Sequence, residues 1–235
     1  MLVSVIVPTL NEAENIAAAV RAARRAYGPD EVEILIVDGG SSDGTPDLVP
    51  PCERVLASAR GRALQLNRGA EGSHGEILVF CHADSLLPAG WREAVIRALE
   101  DPRVSGGTFQ TAILPATGFV HIRNRLRFPA NWRIMFGDQV QFMRRSTFDR
   151  LGGYAEIPLM EDGEMSRALA QHGRLVRIPL PLRVITSSRR FLERGANRQT
   201  LLNGWNMLRY LYLGASPQEI ATSYRSSREG GAEGQ

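Results

Sequence analysis

Residues able to do chemistry sit in a few short polar runs of this 235-residue chain. Asp38 opens the run Asp38-Gly39-Gly40-Ser41-Ser42-Asp43-Gly44-Thr45, where two glycines permit a tight turn beside a carboxylate. Such a carboxylate can accept hydrogen bonds from a ribose or a base. A turn or cap aspartate is the alternative, and it suits Asp43 before Gly44 better than Asp38. Asp84 ends the run Phe80-Cys81-His82-Ala83-Asp84. A hard oxygen there could hold Mg2+ or Mn2+ against a diphosphate, or cap the following helix. His82 could ligate that metal, donate a hydrogen bond to a nucleotide, or be an ordinary loop histidine. Glu161-Asp162 follow the apolar approach Ile157-Pro158-Leu159-Met160 and open a helical pattern. Acids in a first turn complement the macrodipole, but one of these could face a cleft as a general base.

The elements around these runs alternate strand and helix. Val3–Val7 is an apolar, β-branched run that leads into Pro8-Thr9-Leu10-Asn11-Glu12. Asn11 with Glu14 has the spacing of a capping box for a helix reaching Tyr27, stopped by Gly28-Pro29. Val32–Val37 predicts a second strand, Arg54–Ala57 a third and Ile77–Cys81 a fourth, with helices over Ala63–Ala70 and Trp91–Leu99. Repeated β-α-β units with nearly all-apolar strands imply an α/β fold, its parallel sheet covered on both faces. In such sheets ligands bind beyond the carboxyl ends of the strands, which is where the three polar runs fall. Further on, Gly106–Ile113 and Gln139–Arg144 read as strands, and Glu161–Gln171 and Leu201–Leu213 as helices. The polar, Gly-rich residues 226–235 read as a disordered tail after one domain spanning 1–225.

Composition removes several classes of function. All 28 basic residues are arginine, so a P-loop lysine or a Schiff-base lysine is not available. No G-x-G-x-x-G follows the first strand, which disfavours a dinucleotide site. The formal charge of +3, with 25 acids nearly balancing the arginines, argues against nucleic acid as a partner. Cys52 and Cys81 form no CxxC, so neither a zinc site nor a disulfide framework is expected, and a reduced, cytoplasmic protein is. No apolar run reaches the ~18 residues of a transmembrane helix.

Taken in order, these runs resemble glycosyltransferase family 2. The resemblance rests on Val5–Glu12, Val37–Thr45, Gly61–Ala70, Phe80–Asp84, Phe148–Tyr154 and Leu159–Asp162. It implies a GT-A fold, with a mostly parallel central sheet and helices on both faces. It also implies inverting transfer of a sugar from a nucleotide diphosphate donor, UDP- or GDP-linked, to a small-molecule or lipid-phosphate acceptor. In that family's terms Asp162 is the base, and Asp84 holds Mn2+ or Mg2+ on the diphosphate. Asp38 reads the base or ribose, while Pro8, Thr9, Glu12, Gly61, Arg62 and His82 lie at the nucleotide. Gly152, Gly153 and Glu161 lie toward the acceptor. His82 departs from the pattern, standing where the family's Asp-x-Asp motif has its first aspartate.

Gly137-Asp138-Gln139 and Ser187-Ser188-Arg189-Arg190-Phe191 are similar to a cytosolic subgroup recorded in arsenosugar biosynthesis clusters. There Arg189 and Arg190 would grip the diphosphate, or form a solvated charged face. Asp138 would contact the acceptor or cap a turn. Two other readings stay open. The first is a polyprenyl-phosphate sugar transferase peripheral to the inner membrane surface, because His121–Phe128 and Trp132–Phe136 mix arginine with large apolar residues. The second is a non-catalytic nucleotide-sugar-binding protein with His82 as a degenerate position.

Overall fold

A computed structural model describes residues 1–116, 121, 124, 125, 130, 131, 133, 135, 139–187 and 196–222, with the backbone alone over 196–203. Asp138, Arg189, Arg190, the tail 226–235 and most of the two arginine-aromatic stretches lie outside the described residues. The strands are β1 (Val3–Thr9), β2 (Val32–Asp38), β3 (Arg54–Ala57), β4 (Ile77–Phe80), β5 (Ser85–Leu86), β6 (Val104–Leu114), β7 (Gln141–Arg144) and β8 (Arg174–Ser187). They form a single sheet in the order β3-β2-β1-β4-β7-β6-β8-β5. The helices are α1 (Ile16–Arg24), α2 (Arg62–Gly72), α3 (Trp91–Glu100), α4 (Arg145–Leu151), α5 (Glu161–His172) and α6 (Ala196–Tyr212).

The first four strands are parallel neighbours, as their continuous apolar runs require. Their register sets Thr9 beside Asp38 and Asp38 beside Ala57, so the polar runs leave the sheet at one edge. One face is covered by a core that includes Ile16, Val20, Trp91 and Val95 of α1 and α3. The other is covered by Leu66, Ala70, Met165 and Leu169 of α2 and α5. Trp91 is fully buried, its indole N–H donating to the Ala23 carbonyl at 3.1 Å. Gly69 lets α2 lie close on the sheet, since a Cβ there would come within 2.3 Å of the Ile6 Cγ2.

The carboxyl-terminal half supplies the antiparallel part of the expected mostly parallel sheet. β7 runs antiparallel to both β4 and β6, and β5 antiparallel to β8, while β6 and β8 are parallel. β7 starts at Gln141 rather than Gln139, because Val140 has a positive φ of 56° that no ladder residue adopts. β8 has no counterpart in the sequence reading. Pro179 and Pro181 mask it, and its pairing with β6 jumps from Ile178 opposite Phe109 to Arg183 opposite Gln110. The capping box at Asn11 does not form either. α1 begins at Ile16 behind Asn15, because the Asn11 side chain accepts the Ser42 amide at 2.9 Å instead. Among the described residues no helix is long and apolar enough to cross a membrane.

Candidate active site

The loops after β1 and β2 are stapled by short polar side chains. Asp38 accepts from the Gly40 amide (3.0 Å) and the Ser41 amide (2.9 Å) at one oxygen. Its other oxygen accepts from the Ser41 hydroxyl and from Thr9 Oγ1 at 3.2 Å. A carboxylate offers about four acceptor positions, so all of them are engaged within the chain. Burial alone would raise the Asp38 carboxyl, but these hydrogen bonds from Ser41, Gly40 and Thr9 outweigh it and hold the group below its usual range. Asp38 thus does the turn work that the sequence favoured for Asp43. Asp43 does the same in its own turn, accepting from the Ala13 amide and the Thr45 amide, each at 3.0 Å. Thr9 and Glu12 are buried under these loops. The Glu12 amide donates to Thr45 Oγ1 at 2.9 Å, and the Glu12 carboxylate accepts from Asn15 Nδ2 at 2.8 Å.

A second cluster lies across the cleft. Pro8, Arg62, His82 and Asp162, with Gln141 and Tyr154, line one small pocket beyond the ends of β1 and β4. Arg62 donates from Nη1 to Glu161 Oε1 at 3.0 Å, with 37% of its side chain exposed against 3% for Glu161. Burial would lower Arg62, but Glu161, Asp162 and Asp84 together hold it firmly cationic. Glu161 pairs with this guanidinium directly, and the charges of Asp162 and Asp84 add to its hold. Glu161 is raised, chiefly by burial, which Arg62 opposes and Asp162 reinforces. Asp162, 8% exposed, accepts from its neighbour's Gly163 amide at 2.7 Å. Glu161 and Asp162 owe their position to Met160, whose φ of 71° turns the chain sharply into α5.

Asp84 is not a helix cap, since Gly90 holds that place for α3. Its carbonyl accepts the Ser187 amide at 3.0 Å, and one carboxylate oxygen accepts from Ser85 Oγ at 3.2 Å. Among the described residues no three His, Cys, Asp or Glu side chains stand together as a metal cage. The donor set instead fits a divalent ion held by the Asp84 carboxylate and the oxygens of a diphosphate, the usual arrangement for Mg2+ in nucleotide sites.

Gly61 caps α2, and its carbonyl accepts the Gln65 amide at 2.9 Å. Gly152 and Gly153, each with φ of 79°, end α4 and turn the chain toward Tyr154. Asn67 clamps Tyr154 by both backbone groups, at 2.8 and 2.9 Å. These glycines therefore shape the wall of the site. Sequence reasoning missed the buried amides. Gln65 donates to the Thr9 and Val37 carbonyls, both at 2.8 Å, tying β1 to β2 where their loops leave. Gln141 ties β7 to α5 in a similar way. The only signal for either was an uncharged polar residue inside an apolar pattern.

The glycosyl transferase family 2 model matches residues 4–155 of the chain. The succinoglycan biosynthesis protein ExoA of Rhizobium meliloti is 26% identical over 194 residues, covering 72% of this chain and 58% of that protein. A PGL/p-HBAD biosynthesis glycosyltransferase of Mycobacterium bovis is 30% identical over 169 residues, covering 64% and 62%. The chain thus spans less than two thirds of these relatives' length. Among solved structures, the mannosyltransferase PcManGT from Pyrobaculum calidifontis in complex with GDP-Man and Mn2+ superposes with a TM-score of 0.64 at 21% identity. That match covers 99% of this chain and 76% of the other. S. aureus TarS in complex with UDP-GlcNAc gives a TM-score of 0.66 at 14% identity, covering 80% and 58%. The sheet order, the strand-end site and the family match converge: this chain belongs to glycosyl transferase family 2, and its fold is GT-A-like.

Proposed function

We propose that the chain transfers a sugar from a nucleoside diphosphate donor to an acceptor nucleophile with inversion at the anomeric carbon. The observation that carries this reading is the pocket where Pro8, Arg62, His82 and Asp162 meet. Asp162 takes the proton of the acceptor hydroxyl as its oxygen bonds to the anomeric carbon. The bond from that carbon to the diphosphate breaks, and the nucleoside diphosphate leaves with the electron pair. Arg62 keeps partly solvated N–H groups beside the pocket, suited to phosphate oxygens. A divalent ion at Asp84, when bound, offsets the charge gathering on the diphosphate. Asp38 shapes the nucleoside loop from beneath, and it meets a ribose only if the Ser41 hydroxyl yields its place.

The donors bound by the two structural neighbours make UDP- and GDP-linked sugars the first candidates. The likeness to the arsenosugar-associated subgroup supports a small soluble acceptor, and Asp138, Arg189 and Arg190 are assigned to acceptor and diphosphate on the same ground. A thermal-shift screen of UDP, GDP and their sugars with Mn2+ or Mg2+ tests the reading, because a ligand of the native state raises apparent stability. One donor is expected to stand out and to lose its effect under chelation. Equal shifts with and without metal would remove Asp84 from its role.

A polyprenyl-phosphate acceptor at a membrane surface is favoured by one observation. Trp205, Leu208, Tyr212 and Leu213, in and just after α6, are exposed. Flotation with anionic liposomes tests it, and absence of binding would end that reading.

A further inference from the structure

Gln141 is 1% exposed, carries no charge and stands in the inner wall of the pocket that Asp162 lines. Its carboxamide is fully engaged. Nε2 donates to the Asp162 carbonyl at 2.9 Å and to Ser166 Oγ at 2.7 Å, while Oε1 accepts from the Tyr154 hydroxyl at 2.8 Å. The orientation of the amide is fixed by its neighbours. Ser166 Oγ donates onward to the Met135 carbonyl at 2.6 Å, so it can only accept from Gln141. Tyr154, buried and pushed well above its usual range by burial with Asp162 and Glu161 adding to it, keeps its proton and must donate. The result is a closed chain of donors and acceptors running Tyr154, Gln141, then Asp162 and Ser166. Asp162 and Ser166 are one turn apart, so a single side chain grips the first turn of α5 along its axis.

The backbone on both sides of this grip is held in the left-handed region. Val140, fully buried and β-branched, has φ of 56°, and Met160 has φ of 71°. Conformations of that kind persist only where surrounding structure over-determines them, and they gather at functional sites. Val140 immediately precedes Gln141, and Met160 lies two residues before Asp162. The link from Gln141 to Asp162 therefore joins the two strained points.

We infer that Gln141 is a positioning residue: with its amide engaged within the chain, it fixes the carbonyl of Asp162, and through it the direction of the Asp162 carboxylate. The inference rests on Asp162 acting as the base. Tyr154 and Ser166 are the outer members of the same device, the first setting the amide's orientation and the second anchoring it one turn down the helix.

Two variants test this, Gln141→Leu and Tyr154→Phe. The second removes only the orienting hydroxyl and keeps the test alive should the first fail to fold. Transfer is measured with the donor found by the screen above, and each variant is crystallised. In Gln141→Leu kcat is expected to fall about 10- to 100-fold with the donor KM within about threefold, since small misplacement of a reacting group costs rate rather than binding. In the crystal the 2.7 Å contact between the Gly163 amide and the Asp162 carboxylate should be lost. Tyr154→Phe should show the same split, only smaller. An unmoved Asp162 with unchanged kcat in either folded variant overturns the inference. So does a loss of kcat matched by an equal rise in KM, which would mark general loosening. Asp162→Asn is measured in parallel. If it retains turnover, or if the wild type turns over no donor, the functional reading fails and the role of Gln141 with it. If Asp162→Asn is inactive and Gln141→Leu is not impaired, only the positioning role fails.

Discussion

The two walls of the cleft are built by different means. The wall after β1 and β2 combines turns closed by near neighbours, Asp38 with Gly40 and Ser41 and Asp43 with Thr45, with links from Asn11 to Ser42 and from Ala13 to Asp43 that need β1 and β2 paired. The wall carrying Asp162 is held across long stretches of chain. Arg62 reaches Glu161 over 99 positions and Asn67 reaches Tyr154 over 87. The first wall is exposed, uses short side chains and keeps its carboxylate anionic. The second is buried, crowds two carboxylates under one arginine and needs two backbone outliers to do it. The first wall needs only the β1–β2 pair and its own turns, whereas the second exists only once α2, β7 and α5 are all in place. Perturbing each wall should therefore give different kinds of damage.

The largest effect is expected on the buried wall and on rate alone. Asp162→Asn should lower kcat by about 10²- to 10⁴-fold, the range of general-base catalysis. Its affinity for the nucleoside diphosphate, read by titration calorimetry, should stay within about threefold. Comparable losses in both would place Asp162 in binding instead.

Next comes Arg62→Ala, which leaves Glu161 buried beside Asp162 without its cation. Breaking a buried pair costs about 3–5 kcal/mol, and the partial exposure of Arg62 reduces that here to about 2–3 kcal/mol. The pH dependence has a definite sign. A carboxyl raised on folding stabilises the protein below its unfolded value, near ~4.3, and loses that contribution as pH climbs through the folded value. Glu161 is already raised, and removing Arg62 raises it further. The gap in Tm between wild type and variant should thus be widest at neutral pH and narrow toward pH ~4. A pH-independent gap would refute the electrostatic account.

Gly69→Ala probes the layer beneath both walls. The new methyl would meet Ile6 Cγ2 at 2.3 Å and Val37 Cγ2 at 2.9 Å, so α2 must shift away from the sheet. Urea unfolding should show a loss of about 1–3 kcal/mol. Because α2 also carries Arg62 and Asn67, donor affinity should weaken as well.

The smallest effect belongs to the local wall. Asp38 is held below its ordinary range, so its contribution is present above ~3.9 and disappears as pH falls through the lower folded value. Asp38→Asn should therefore lower stability modestly at neutral pH and flatten the acid limb, the two proteins converging below about pH 4. A neutral-pH loss as large as that of Arg62→Ala would show that the loop supports more of the fold than its own bonds suggest.

The same contrast governs what could be read from the sequence. Val3–Val7, Val32–Val37 and Ile77–Cys81 announce themselves as buried parallel strands, and the carboxylates at their ends follow from the rule for open α/β sheets. Asp162, Arg62, His82 and Pro8 were all named from the chain and do meet at one pocket. β8 was not legible, because prolines at positions 179 and 181 argue against a strand while the chain steps out of register between Ile178 and Arg183. Gln65 and Gln141 were not legible either. A neutral amide within a helix or strand gives no pattern, and its importance appears only when distant carbonyls are brought to it. Asn11 misled for a related reason, as its side chain had a tertiary partner in Ser42 that overrode the local capping pattern.

The short bond between the Ser187 amide and the Asp84 carbonyl has a practical consequence for handling this protein. With β5 paired to the end of β8 at Ser85–Thr186 and Leu86–Ile185, the last strand tethers the loop that carries Asp84. A truncation placed before Thr186 would cut that tether as well as removing Arg189 and Arg190. A fusion or affinity tag joined directly after Ser187 would pull on the same loop. Shortened versions of this chain should therefore keep β8 whole.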